Sequence, residues 1–551
     1  MNVNLLYAHK DWTSAKPYFD WYGMVKDLGL DTLFDAAKQD AVVRNSKVIY
    51  TEHEDPFLAQ TMKKVMCVPL DKKEDVLFRQ EILKDCFRHE DFVGQLYVLV
   101  SKVLADWEKL GRKKNHTGVR DTKAELITDI KVLHLLVSGM ADVKTLLIEN
   151  LDGLSSRGFL ALHARIDQEF SQDVQESLEK ILKDLAFYTD TSVREVKRNV
   201  FVSNRPRVQI DCGIADGLKF GDMKLESIET NVKAYINPYG IRAKLQGQFN
   251  NMLPNYISLY KNTSLQEDAA NLEYQAVSYV VSCCSWVLSS FGYFFDQLHF
   301  QIGFYLGAIN IKHRMKRYLL DYCFPEVGEK DSLHYEELKE VVMSMAQGGK
   351  TIGNTGNLDG KMLTIITGAN QGGKSTFLRS VGIAQVMMQC GLMVAAKCFC
   401  SGLYPNFFTH FTRREDSAMN SGRLDEELRR MDQIISNLGK DSLIILNESF
   451  ASTTEKEGSA IAYDIIKALK EENVKILTVT HLLSFAQKMY DETSDVENAD
   501  IAFLSAEHLE DGTRTFKMIP HEPERTSFGL ELFEKVIENH SPHGCKIFID
   551  R

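Results

Sequence analysis

Apolar and polar residues change their pattern along this chain near residue 350. Before it the spacing is mostly helical. In DVLFRQEILKDC, Val76, Leu77, Ile82, Leu83 and Cys86 recur on one helical face, and residues 92–110 and 124–140 are longer amphipathic runs. Residues 171–188 continue the pattern, and a long apolar helix is predicted from 274 to about 318, with Glu336 to Glu340 on one last helix. The first 60 residues are mixed, with a turn into a helix at Asp27-Leu28-Gly29-Leu30-Asp31. Residues 208–232 hold β-branched residues, glycines and Asp-Gly steps, which predict short strands and turns. The segment QGGKTIGNTGNLDG, 347–360, cannot sustain a helix. After it, short apolar runs alternate with helical stretches, the pattern of a parallel sheet covered on both faces. The expected organisation is an N-terminal segment (1–60), a mostly α-helical core or lever domain (61–345, with a β-containing insert near 205–235) and an α/β domain (346–551).

The candidate chemistry sits in the last of these. TGANQGGKST, residues 367–376, follows the apolar run MLTII and opens a helical stretch. A strand, a glycine-rich turn and a helix N-terminus make a phosphate cradle, because successive backbone N–H groups and the helix dipole face an anion. The nucleotide-binding candidates are therefore Gly368, Ala369, Asn370, Gln371, Gly372, Gly373, Lys374, Ser375 and Thr376. Lys374 is placed to reach the β- and γ-phosphates of ATP, and Ser375 to offer its hydroxyl to Mg²⁺. A second apolar run, SLIIL, ends in Asn447-Glu448, and a third, 474–480, ends in His481. An acidic residue at a strand end beside a phosphate loop is where Mg²⁺ and the attacking water are managed, which makes Glu448 the candidate base. A lone histidine such as His481 is more often a satisfied core residue, but the order of the three motifs favours a γ-phosphate contact.

The order of TGANQGGKST, SGRLDEEL, LIILNESFAST, TVTH and Thr526-Ser527-Phe528-Gly529 resembles the ATPase domain of the MutS family of DNA mismatch-repair proteins. The resemblance is dense over 354–536 and weaker at 27–37 and 69–86. It implies a P-loop ATPase domain of the ABC type and a homodimer in which each phosphate loop is completed by Ser421 and Gly422 of the other copy. It also implies DNA gripped through the helical core, with ATP-driven movement of that core. Ser375, Asn447 and Glu448 are then the metal candidates. The sequence departs from the family at four places. Asn447 stands where the family usually has Asp, keeping an oxygen but losing a charge. Leu424-Asp425 replaces a Ser-Thr pair. The family's N-terminal mismatch-reading module and its C-terminal helix pair are expected to be missing. Candidate DNA-phosphate contacts are Arg112, Lys113 and Lys114; Arg194, Lys197, Arg198, Arg205 and Arg207; and Lys312, Arg314, Lys316 and Arg317. Each cluster alone is more often a solvated face.

The implied function is a DNA-stimulated ATPase in mismatch repair or a related DNA transaction. The alternative is a nucleotide-gated clamp or scaffold with little turnover, binding branched DNA, RNA or a protein. A net charge of -11 argues against a uniformly basic surface but leaves room for a local one. Ten cysteines without paired Cys-x-x-Cys sets support free thiols over a zinc ribbon or disulfide framework, hence a cytoplasmic protein. No signal peptide is read at the N-terminus, and serines interrupt the most apolar stretch, 277–295, so no membrane span is expected.

Overall fold

The apolar runs around 365, 445 and 477 become neighbouring parallel strands. A computed structural model describes residues 2–8, 16–44, 47–112, 122–189, 207–215, 219–229, 263–412, 422–493, 500–509 and 513–523. Its helices are α1 (Trp21–Leu28), α2 (Asp31–Lys38), α3 (Pro56–Met66), α4 (Lys73–Arg88), α5 (Glu90–Arg112), α6 (Thr122–Asn150), α7 (Arg157–Glu169), α8 (Gln172–Thr189), α9 (Thr263–Arg317), α10 (Val341–Ala346), α11 (Lys374–Met388), α12 (Arg423–Ser436), α13 (Glu455–Glu471) and α14 (Leu483–Thr493). Its strands are β1 (Gln39–Arg44), β2 (Lys47–Glu54), β3 (Arg207–Ala215), β4 (Lys219–Glu229), β5 (Glu326–Val327), β6 (Leu333–Leu338), β7 (Asn354–Asn357), β8 (Leu363–Thr367), β9 (Cys398–Ser401), β10 (Asn406–Phe411), β11 (Ser442–Asn447), β12 (Lys475–Val479), β13 (Ile501–His508) and β14 (Arg514–Pro520).

Two compact units divide the chain. One comprises Met1–Val3, Gln95–Leu154 and Leu160–Phe300. Its described part is helical apart from the antiparallel pair β3–β4. Close helix packing there depends on missing side-chain bulk: a Cβ on Gly292 would lie 2.1 Å from the Trp107 ring, and one on Gly139 would lie 2.8 Å from Val103. Among the described residues no helix is long and apolar enough to cross a membrane.

The other unit comprises Asn4–Gly94, Ser155–Phe159 and Gln301–Arg551. Its centre is a six-stranded sheet in the order β10-β11-β12-β8-β13-β14, parallel except for β14 at the edge. Every residue of β8 and β12 is buried, as befits strands covered on both faces. Leu363, Ile365, Ile444, Leu446 and Ile476 share a core with Met431, Ile466 and Phe485, from α12, α13 and α14. Alternate residues face the other way, where a Cβ on Gly382 of α11 would lie 2.8 Å from both Ile445 and Leu28. A smaller sheet, β5-β9-β6-β7, lies beside it in sequence. The helix expected over Glu336 to Glu340 is instead largely strand: β6 ends at Leu338, with Leu333, Tyr335 and Leu338 buried. The Leu333/Tyr335 alternation has period two, which leaves Glu336 exposed and Glu337 half-buried at a register shift against β7.

The N-terminal helices of this unit pack directly on its sheet. Asp27 of α1, 4% exposed, accepts a 2.7 Å hydrogen bond from Thr409 of β10 and pairs with Arg430 of α12 at 3.4 Å. At the far end of α11, the Gln389 amide donates to the Tyr18 hydroxyl and the Tyr404 carbonyl, both at 3.0 Å, while its oxygen accepts from the Tyr404 N–H at 2.7 Å. Arg79 of α4 donates to the Cys390 carbonyl at 3.2 Å, placing a cation where the helix dipole is negative. The helix that begins at the glycine-rich loop is thus fixed at its opposite end. Gln389→Ala leaves the buried Tyr404 N–H and carbonyl without their present partner. It should lower unfolding free energy by roughly 2–4 kcal/mol, read as a shifted urea midpoint with unchanged slope.

Candidate functional site

The strand register brings three sequence motifs to one level. Ile366 of β8 pairs with Val479 of β12, and Val479 pairs with Asn447 of β11. The residues that follow these three therefore leave the sheet side by side at its C-terminal edge: Thr367-Gly368, Thr480-His481 and Glu448. Glu448 N–H donates to the Val479 carbonyl at 2.9 Å, and Thr480 N–H to the Ile366 carbonyl at 3.1 Å. Ligand sites of parallel sheets form at this edge.

Glycine is required in the loop for two separate reasons. A Cβ on Gly368 would meet the Ser505 hydroxyl at 2.7 Å and the Ala506 nitrogen at 2.9 Å, and its φ of 108° is open only to glycine. Gly373, φ 89°, turns the chain into α11. Lys374 is the first residue of that helix and is 5% exposed. Its ammonium donates to the Gly368 carbonyl at 2.7 Å and the Ala369 carbonyl at 2.9 Å. Burial pushes its pKa down to about 8; Glu448 opposes that shift and Arg514 adds to it.

Glu448 accepts a 3.1 Å hydrogen bond from His481 Nε2. That bond is the main reason its carboxyl is held below the usual range, against partial burial; the charges of His481 and Lys374 act the same way. The backbone here is strained: Glu448 has φ 57° and Phe450 φ 66°, a region that costs non-glycine residues about 1–3 kcal/mol each. Behind Glu448, the Asn447 side-chain oxygen is buried with no hydrogen-bond partner, and so is the Thr367 hydroxyl at the end of β8.

A cavity of about 660 Å³ joins these parts. Asn370 to Thr376 and Glu448 line it, together with Leu338, Met343, Ile352, Asn354, Arg514 and Phe516. The predicted residues Lys374, Ser375 and Glu448 thus meet, with His481 and Asn447 attached through Glu448 and the strand end. Gly422 caps the start of α12 and is not among the lining residues. Ser421 and Thr526 to Gly529 lie outside the described residues, as do Lys113, Lys114, Arg194, Lys197, Arg198 and Arg205. Lys312, a DNA-phosphate candidate, is 2% exposed on its α9 turn, ion-paired with Glu90 and 4.2 Å from the Phe87 ring centre, so it cannot reach a ligand. Lys316 and Arg317 are exposed.

Arg514 was invisible to motif reading. It is the first residue of β14, the antiparallel edge strand, and belongs to no local pattern. Here its guanidinium donates to the Gln371 side-chain oxygen at 3.0 Å, adding a second cation to the loop. Its strand is held in place by Asn354, whose oxygen accepts from Met518 N–H at 2.7 Å.

Residues 364–539 match the family model of MutS domain V, and residues 71–195 match that of the MutS2 N-terminal domain. The DNA mismatch repair protein MutS of Clostridium kluyveri (strain NBRC 12016) is 31% identical over 167 residues, 29% of this chain and 19% of that protein. The protein of the same name from Clostridium botulinum (strain Langeland) is 28% identical over 218 residues, 38% of this chain and 23% of that protein. The chain spans about a fifth of the length of these curated relatives. The resemblance read from the motifs is borne out: residues 364–539 are similar to MutS domain V and follow a helical region. The particular resemblance of that helical region is to the MutS2 N-terminal domain.

Protonated Lys374 attracts a polyphosphate and the neutral amine does not. An anion at the loop raises the lysine's pKa, so binding takes up a proton above about pH 8. Polyphosphate affinity should be flat below that pH and fall above it, by up to about tenfold per pH unit. Titration calorimetry from pH 6.5 to 9.5 reads this, and Lys374→Met should remove the slope.

Proposed function

We propose that this chain is an ATP-hydrolysing, DNA-binding protein of the MutS type, acting as a cytoplasmic homodimer in mismatch repair or a related DNA transaction. The observation that carries the reading is the convergence of Lys374, Ser375 and Glu448, itself bonded to His481, on one cavity whose floor is a glycine-rich loop at a helix N-terminus. The loop is of the P-loop, ABC-type ATPase kind. Its N–H groups from Gly373 to Thr376 would bind the β-phosphate of ATP, and Lys374 would exchange the Gly368 and Ala369 carbonyls for β- and γ-phosphate oxygens.

The residues also fit Mg²⁺. Asn447 Oδ1 and Thr367 Oγ1 are buried oxygens lacking partners, a donor set suited to a hard cation and its waters. Ser375, Asn447 and Glu448 would hold it, and when bound it neutralises charge on the β- and γ-phosphates. Glu448, ionised at neutral pH, would orient the water that attacks the γ-phosphate in line. His481 would fix the Glu448 carboxylate and sense the γ-phosphate. Ser421 and Gly422 of a second copy would complete the site, and the helical region would bind DNA backbone.

Asn447 favours a second reading. With a neutral amide in place of a carboxylate, the cation is held more weakly, as in a clamp gated by nucleotide binding with little turnover. ATPase assays with homoduplex, mismatched and branched DNA separate the two. The ATPase reading predicts DNA-stimulated turnover, and Glu448→Gln should bind ATP normally yet turn over roughly 10²–10⁴-fold more slowly. Wild-type turnover in Glu448→Gln, or none in the wild type, contradicts it.

A further inference from the structure

The loop after β11 does not hold its strained shape alone. It is gripped by one buried carboxylate on the neighbouring helix. Glu427 of α12 is 7% exposed. Its Oε2 accepts from the Phe450 N–H at 2.9 Å, and its Oε1 accepts from the Ser452 hydroxyl at 2.7 Å. Its own carbonyl accepts from His410 Nε2 at 3.1 Å, and the other nitrogen of that ring meets the Ser449 hydroxyl at 2.7 Å. The His410 ring also stacks on Phe450, with centroids 5.8 Å apart. Residues 449, 450 and 452 are therefore each tied to Glu427 directly or through one histidine. The two left-handed residues, Glu448 and Phe450, lie at the start of this clasp. On the other side the Thr412 hydroxyl donates to the Glu448 carbonyl at 2.7 Å.

Glu427 is the fifth residue of α12, just past the first turn within which the pull of the helix dipole fades, and its carboxylate is engaged elsewhere. Asp425 occupies the first turn and pairs with Arg429 at 3.0 Å. Glu427 instead accepts from a different segment of the chain, where a buried charge is stable only with such donors.

We propose that Glu427 is a positioning residue for Glu448: it holds the 448–452 backbone in the conformation that aims the Glu448 carboxylate, and so links any movement of α12 to water activation. This rests on the ATPase reading and adds regulation to the same site. Helix α12 starts immediately after Gly422, the position expected to meet the second copy. A load applied there would reach Glu448 through the Phe450 and Ser452 hydrogen bonds.

The test compares Glu427→Gln with wild type, alone and in a Glu448→Gln background, by ATP binding and single-turnover hydrolysis. The amide keeps the volume but loses the negative charge and replaces one of the two acceptor oxygens with an NH₂ donor, so the charge-assisted bonds to Phe450 and Ser452 are both weakened or reversed. Hydrolysis should fall roughly 10- to 100-fold with ATP affinity within about twofold, since small misplacements of a catalytic group act on rate and not on binding. In the Glu448→Gln background the same change should cost almost nothing further, because both act through one carboxylate. Ser452→Ala, which removes one of the two bonds, should give a smaller loss in the same direction. Unchanged hydrolysis in Glu427→Gln overturns the proposal, as does an undiminished loss in the Glu448→Gln background or a loss confined to ATP affinity. A wild-type chain that binds ATP without hydrolysing it overturns the ATPase reading and this proposal together, whereas wild-type hydrolysis with an indifferent Glu427→Gln overturns this proposal alone.

Discussion

The site depends on register. Three parallel strands far apart in sequence end level with one another because Ile366, Val479 and Asn447 are paired across β8, β12 and β11. A parallel ladder alternates side chains between two faces, and here both faces are buried by helices, so a slip of one residue would turn every core residue to the wrong layer. The hydrophobic pattern that stabilises the sheet thereby also sets the height at which Gly368, Glu448 and His481 emerge. Stability and site geometry share one cause.

Rigidity around that edge has a different origin. Helix α11 is held near the loop by Lys374, which caps the loop's own carbonyls, and at its far end by Gln389 and Arg79. The loop after β11 is held by Glu427. Both braces use buried polar groups whose partners lie elsewhere in the chain. Such groups are expensive to leave unpaired, so they specify one arrangement. The left-handed backbone at Glu448 and Phe450 persists because its surroundings over-determine it.

The glycine-rich loop and the strand ends at Asn447 and His481 were legible in the sequence because their physics is local. An anion cradle needs glycine at set positions, and a doubly covered strand needs an unbroken apolar run. What could not be read was long-range. The contact of Asp27 with Thr409 joins residues that share no pattern. Arg514 and Glu427 look like ordinary surface charges until the hairpin and α12 are folded against the loops they serve. Glu336 to Glu340 misled for the opposite reason: a charged cluster suggested helix, while burial of Leu333 and Tyr335 decided for a strand. Lys312 looked like a solvent-facing cation among Arg314, Lys316 and Arg317, and its pairing with Glu90 became visible only when α9 met the start of α5.

The central claim is that these in-register strand ends form a triphosphate site. Crystals grown with Mg²⁺ and a non-hydrolysable ATP analogue test it most directly. The account predicts phosphate density against the Gly373 to Thr376 backbone, with the Lys374 ammonium turned from the Gly368 and Ala369 carbonyls to phosphate oxygens. Analogue bound elsewhere, or Lys374 still bonded to those two carbonyls with the analogue in place, would contradict it.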